Sequence, residues 1–269
     1  MNDVVDRQPR VATRGPIREL TPPVRSERRG KRQPPKPQSL VQRGLTVACL
    51  VAAGAALLPA GQMVLAGLAS YRAELALQRW SSSGQPPAEA KWQSTLAAVK
   101  QANALYPVAS GTYLEQLGQV YAWKAFDQPA GADSARESRL AATQAYRQAS
   151  AARPTWPNTW AHLAHSKYAL GEVDDEFAQA LRQANRWGPY RPDVQLELAS
   201  IGLRAWPLLT HSQRVDAVTS ARIAMDSDNQ TATALFALAQ ANGLEQTLCM
   251  SAANELGRTR NYCTRGGNP

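Results

Sequence analysis

The chain has 269 residues, 44% of them hydrophobic, with a formal net charge of +9. That is enough for one large or two small domains with a buried core. The charge is concentrated: residues 1–44 hold 11 Lys/Arg and four Asp/Glu, so the high pI describes the N-terminal tail and excludes little about the remainder.

The tail has no aromatic residue and seven prolines (Pro9, Pro16, Pro22, Pro23, Pro34, Pro35 and Pro37). Such a segment cannot bury enough apolar surface to offset its ordering entropy, so residues 1–44 are expected to be a disordered basic tail. Basic tails often bind nucleic acid. Here no base-stacking ring is present and an apolar segment follows at once, which favours a membrane-flanking role with no nucleic-acid partner.

Leu45 to Ala69 contains no charged residue. A bilayer core is crossed by about 20 apolar residues in helix, so residues 45–70 are predicted to be a single transmembrane helix. Pro59 and Gln62 lie within it; a membrane helix tolerates such an internal proline. Lys and Arg resist translocation, and they are dense before Leu45 but reduced to Arg72 and Arg79 just after Ala69. The N-terminus is therefore expected in the cytoplasm and the C-terminal part outside it. The basic stretch is too long for the charged region of a cleaved signal peptide, so an uncleaved anchor fits better. Ala52, Ala56 and Ala60 form a small-residue stripe of the kind that permits close helix packing and that Ala-rich segments also give by chance.

Residues 71–87 read as a juxtamembrane helix followed by a linker, Ser81-Ser82-Ser83-Gly84-Gln85-Pro86-Pro87. From Ala88 onward, helical patterns are broken by proline and glycine, no stretch alternates like a strand, and alanines recur at helical spacing. The fold class is all-α.

An internal period is legible. Leu117, Gly118 and Tyr121 give L-G-x-x-Y, and Ala142, Tyr146, Ala149 and Pro154 follow at spacings of 4, 3 and 5. The offsets resemble the tetratricopeptide repeat. Its register predicts a tryptophan six residues after the proline, where Trp160 stands, with Leu163 and Ala164 at the next positions. A third unit places Gln195, Leu198 and Ala199, then Ala217, Ala221 and Ala224, with Asn229 where proline is usual. Leu235, Leu238 and Ala239 begin another, and Val99, Ala102 and Pro107 end an incomplete one. Small residues such as Gly118, Ala149, Ala164, Ala199 and Ala224 would let helices approach, and large ones such as Tyr146, Trp160 and Leu163 would fill the gaps. The resemblance covers residues 90–245 and implies an α-solenoid over 88–269, since each hairpin must bury a face on its neighbour. The sequence departs from the pattern at Lys167, where tyrosine is usual, and around Asp127 to Arg136, where about 12 extra residues stand between two helices.

A narrower resemblance runs from Arg153-Pro154-Thr155-Trp156-Pro157-Asn158-Thr159-Trp160 through Gly171-Glu172, Asp175-Glu176-Phe177, Trp187-Gly188-Pro189-Tyr190 and Val194-Gln195-Leu196 to Trp206. This ordered set looks like the VpsP family of bacterial exopolysaccharide biosynthesis. The resemblance implies a bacterial inner-membrane protein with a periplasmic repeat domain, acting as a protein-binding scaffold in polysaccharide synthesis or export. The alternative is a periplasmic chaperone or translocon-associated factor. In tetratricopeptide proteins the inner face of the first helix of each repeat binds peptides. Carried onto this chain, that face holds Thr112, Glu115, Gln119 and Ala122, then Asn158, Ala161, His165 and Tyr168, then Asp193, Leu196, Ser200 and Leu203.

Chemistry is sparse. His162 and His165 lie three apart on a predicted helix, but a zinc site needs further ligands. No phosphate-binding glycine loop or nucleophile elbow occurs. Asp174, Asp175 and Glu176 suit the start of a helix through its dipole, and Asp226-Ser227-Asp228-Asn229 lacks the glycine and glutamate of a calcium loop. No enzyme, cofactor or metal is expected. Trp156, Trp187 and Tyr190 lie near helix ends and are the candidates for glycan stacking, a contact secondary to protein binding. Cys49 falls in the predicted span. Cys249 and Cys263 either close a disulfide loop or remain two free thiols.

Overall fold

The structure is a computed structural model that describes residues 39–252 and 258–264. The expected disordered tail lies outside the described residues apart from 39–44. Among the described residues every regular element is helical. The α-helices are α1 (Leu40–Ser83), α2 (Glu89–Leu105), α3 (Gly111–Trp123), α4 (Arg136–Ala152), α5 (Pro157–Leu170) and α6 (Asp175–Trp187). They continue as α7 (Pro192–Arg204), α8 (His211–Met225), α9 (Asn229–Ala241), α10 (Glu245–Ala252) and α11 (Arg258–Thr264).

The chain divides into two units, Met1–Cys49 and Leu50–Pro269. In the first, α1 opens at Leu40 inside the segment expected to be disordered. Its start is fixed by a reciprocal cap: the Gln42 amide donates to Ser39 Oγ at 3.3 Å, and the Ser39 amide to Gln42 Oε1 at 3.1 Å. Among the described residues α1 is the one helix long and apolar enough to cross a membrane.

In the second unit, Leu50, Leu57, Leu58 and Val64 are exposed along α1. Burial begins at Ala66 and continues through Ala69, Ser70, Ala73, Leu77 and Trp80. The boundary expected at 70 therefore falls inside continuous packing, whereas the one expected at 87 lies in the turn before α2. Ala73, Leu77 and Trp80 share a core with Trp92, Leu96 and Val99 of α2 and Val120 of α3. The Ser81-Ser82-Ser83 stretch read as linker is the last turn of α1, and the chain turns only at Gly84, at φ 62°. Local composition marked a linker, but the tryptophan just before it supplies the apolar contact that keeps the helix going.

From α2 to α5, consecutive helices run antiparallel. Asn103 and Trp92 of α2 reach Tyr113 and Val120 of α3. Between α3 and α4 the backbone at Gly118 lies against the Tyr146 ring, and at Gly111 against Arg153, just past α4. Thr143 meets Ser166, and Arg139 meets Ala169, between α4 and α5. Helices α1, α3, α5 and α7 run parallel, side by side: Ser70 meets Gln116, Glu115 meets His162, Asn158 meets Asp193 and His165 meets Glu197. The positions expected to be small, Gly118, Ala149, Ala164, Ala199 and Ala224, are all buried. Of the expected fillers, Tyr146 and Leu163 are buried; Trp160 is half-buried and donates its indole N–H to Pro154 O at 2.8 Å.

Helix ends follow local chemistry. Pro157 and Pro192 occupy first-turn positions, where a missing N–H costs nothing. Asp174 caps α6 by accepting from the Phe177 amide, Asp228 caps α9 from Thr231, and Thr210 with Gln213 forms a capping box on α8. Gly171 ends α5 at φ 79°. Lys167, the departure from the repeat pattern, is buried, and its ammonium is held by Glu172 at 2.5 Å, Asp174 at 2.7 Å and Glu176 at 3.3 Å. It ties the end of α5 to the start of α6.

The C-terminal end is closed covalently: Cys249 and Cys263 form a disulfide joining α10 to α11. In the chain-entropy model such a loop stabilises by up to about 3 kcal/mol. Reduction is expected to lower the thermal midpoint of the detergent-solubilised chain by roughly 5–10 °C, measured by circular dichroism with and without reductant. Cys49 is free and exposed.

Candidate groove

The parallel faces of α1, α3, α5 and α7 line a groove of about 1010 Å³. Of the residues carried over from the repeat register, Thr112, Glu115, Gln119, Ala122, Asn158, His165 and Tyr168 line it. Ala161 and Leu203 instead lie in the core, Leu196 packs against it, and Ser200 is half-buried away from the groove. Asp193 is exposed beside it and accepts from Asn158 at 2.8 Å and from Arg191 at 2.7 Å. Burial opposes ionisation of Asp193, yet these donors and the Arg191 charge hold its pKa down to about 2.

The groove also gathers residues outside that register: His162, Arg153, Trp156, Arg191, Glu197 and Arg204. Glu115 of α3 is the hub. His162 Nδ1 lies 3.0 Å from one of its oxygens, and the other accepts from Thr159 at 2.9 Å and from the Arg153 guanidinium. Arg153 comes from the loop after α4 and lies across the start of α3, where Gly111 has no side chain to block it; a Cβ there would stand 2.4 Å from Nε of Arg153. Further along, His165 Nδ1 pairs with Glu197 of α7. Two carboxylate–histidine pairs thus bridge α3 to α5 and α5 to α7.

Burial penalises the Glu115 carboxylate, but the hydrogen bonds from His162 and Thr159 and the charges of His162 and Arg153 hold it below its usual range. Glu197 is driven lower, to about 2, where the charge and hydrogen bond of His165, with His162 and Arg204 nearby, outweigh desolvation. Burial works against the His162 imidazolium, and the Glu115 hydrogen bond and charge overcome it, raising His162 above its ordinary value of 6.5.

The sign for stability follows. The His162 contribution is complete below its unfolded pKa and is lost as pH rises through the folded value. The Glu115 contribution is complete above about pH 4.5 and is lost as pH falls through its depressed folded value. The thermal midpoint is expected to decline as pH rises above 6.5, and Glu115→Gln to flatten that decline; a thermal-shift series over pH with both chains checks it.

The pair His162 and His165, weighed as zinc ligands, is joined to carboxylates on two different helices, and among the described residues no group of three or more His, Cys, Asp or Glu could hold a metal. The rings considered for glycan stacking are partly engaged. The guanidiniums of Arg153 and Arg191 each lie 5.2 Å from the Trp156 ring, and Arg186 lies 5.3 Å from that of Trp187. Tyr190 is exposed.

His162 falls one position beyond the repeat's inner-face register, and Glu197 one beyond Leu196. The i, i+3 spacing of the histidines was the available signal for the first; nothing in the sequence joined either to a carboxylate. No family model and no curated protein matches this chain.

Proposed function

We propose that this protein is a membrane-anchored scaffold of tetratricopeptide-like build that holds other proteins in the groove between its odd-numbered helices. The observation that carries this reading is the groove: the parallel helices α1, α3, α5 and α7 present polar and apolar side chains along one wall. The register of Gly118, Tyr146 and Trp160, and the burial of the small-residue positions, support the repeat assignment. The apolar, exposed run of α1 supports the anchor, and the flanking charge favours a cytoplasmic N-terminus with the repeat body in the periplasm of a bacterial inner membrane. The VpsP-like residues between Arg153 and Trp206 favour a place in exopolysaccharide synthesis or export.

The test is an affinity pull-down with the full chain against one carrying Gln119→Arg and Tyr168→Glu, two groove changes that avoid the ionic bridges. Components of a polysaccharide synthesis or export complex should be retained by the native chain and lost from the variant. Equal retention by both removes the groove from the function. Normal polymer output in a deletion strain removes the pathway.

A further inference from the structure

The alternating helix directions sort the loops into two ends. Ser70 of α1 is level with Gln116 of α3, and the two helices run parallel. Counting back along both, the start of α3 at Gly111 is level with Leu65, one residue before the first buried position of α1, Ala66. The loops 106–110, 153–156 and 188–191, each entering an odd-numbered helix, therefore gather at the end from which Leu50–Leu65 projects.

Those loops have a distinct chemistry. Val108, Trp156 and Tyr190 within them, and Trp187 at the end of α6, are exposed at 66%, 41%, 84% and 41%. Arg153, Arg186 and Arg191 lie against the tryptophan rings. Two acids stand beside these three loops, Glu115 paired with Arg153 and Asp193 paired with Arg191, and both meet guanidiniums of the same end. The opposite end carries Asp127, Asp133, Glu172 and Asp174 in its loops, with Lys124 and the exposed Phe126 and Leu208. The α8–α9 loop, farthest along the chain from α1, departs from the pattern with Asp226 and Asp228.

Rings with a polar edge and guanidiniums beside them suit the boundary between acyl chains and phosphate: the ring occupies the glycerol level and the guanidinium pairs with phosphate oxygens. We infer that these three loops rest on the phospholipid headgroup layer of the bilayer that α1 enters, giving the body a second, interfacial membrane contact. This rests on the reading of α1 as a membrane span. It makes the aromatic residues near the helix ends lipid ligands rather than glycan platforms.

The experiment uses the full chain with Cys49→Ser and one added cysteine at a time, Val108→Cys or Tyr190→Cys at the loop end and Gln85→Cys or Leu208→Cys at the opposite end. Each exposed cysteine carries an environment-sensitive fluorophore, the native disulfide being left oxidised. The labelled chains are reconstituted in nanodiscs of phosphatidylcholine and phosphatidylglycerol with and without headgroup-nitroxide lipid. Labels at 108 and 190 should lose most of their emission to the nitroxide, and labels at 85 and 208 should keep theirs. Equal emission at all four positions in nanodisc-embedded chain overturns the contact. Failure of the chain to enter nanodiscs instead overturns the membrane reading of α1 on which the contact depends.

Discussion

Arg139→Met is expected to destabilise the body by about 4 kcal/mol, because it strips a charged donor from several carbonyls at once. The guanidinium is buried and donates to Pro129 O at 2.8 Å, Ala169 O at 2.7 Å and Gln128 O at 2.6 Å, with Ala125 O at 3.4 Å. Three of these belong to the segment between α3 and α4, and the fourth ends α5. Gly131 donates its amide to the same Ala169 carbonyl at 2.9 Å. The extra residues between α3 and α4 are thus folded down by one side chain, which also neutralises the negative end of α5. Methionine fills similar space but leaves those carbonyls to water, so the segment should open. Denaturant unfolding gives the loss in stability, and proteolysis near residues 127–131 should accelerate with it. Unchanged protection there would show that the segment holds itself.

Gly202→Val should cost about 3 kcal/mol or more through overpacking. A Cβ at Gly202 would stand 2.3 Å from Ala217 Cβ and 3.3 Å from Ala217 Cα, so the obstacle is the facing helix itself and no rotamer relieves it. Helix α8 must move away from α7, opening the core that Ile201, Leu209 and Ala217 share. Gly118 makes a useful contrast. There the obstruction is the Tyr146 ring, at 2.6 Å, so Gly118→Ala should be relieved in part by ring movement and by the higher helix propensity of alanine. Thermal midpoints of the two variants, measured side by side, check the ranking.

Much of the helical order was legible because small and large residues recur at fixed spacing. Proline at the first turn of α5 and α7, and acids at the start of α6, mark boundaries through chemistry that acts over a few residues. The entry of α1 into the body was not legible. Ser81, Ser82 and Ser83 look like linker, and only the contacts of Ala73, Leu77 and Trp80 with α2 and α3 decide otherwise. The groove was half legible. Glu115, Asn158 and His165 follow from register, whereas Arg153 reaches Glu115 from a loop 38 residues away because Gly111 leaves room. A bridge of that kind depends on two helices, a turn and a missing side chain together.

The continuity of α1 has a mechanical meaning. From Leu50 to Ser83 the chain offers no loop in which a turn or a push could be absorbed. Pro59 removes one helical donor, but it lies seven residues before the first buried alanine, so any bend there leaves the packed part whole. Advancing the helix by one residue would shift everything beyond it by about 1.5 Å and turn it by about 100°. The helix is accordingly part of the body as much as an extension from it: the same element that carries the exposed apolar run sets Leu77 against the groove and Trp80 against Trp123.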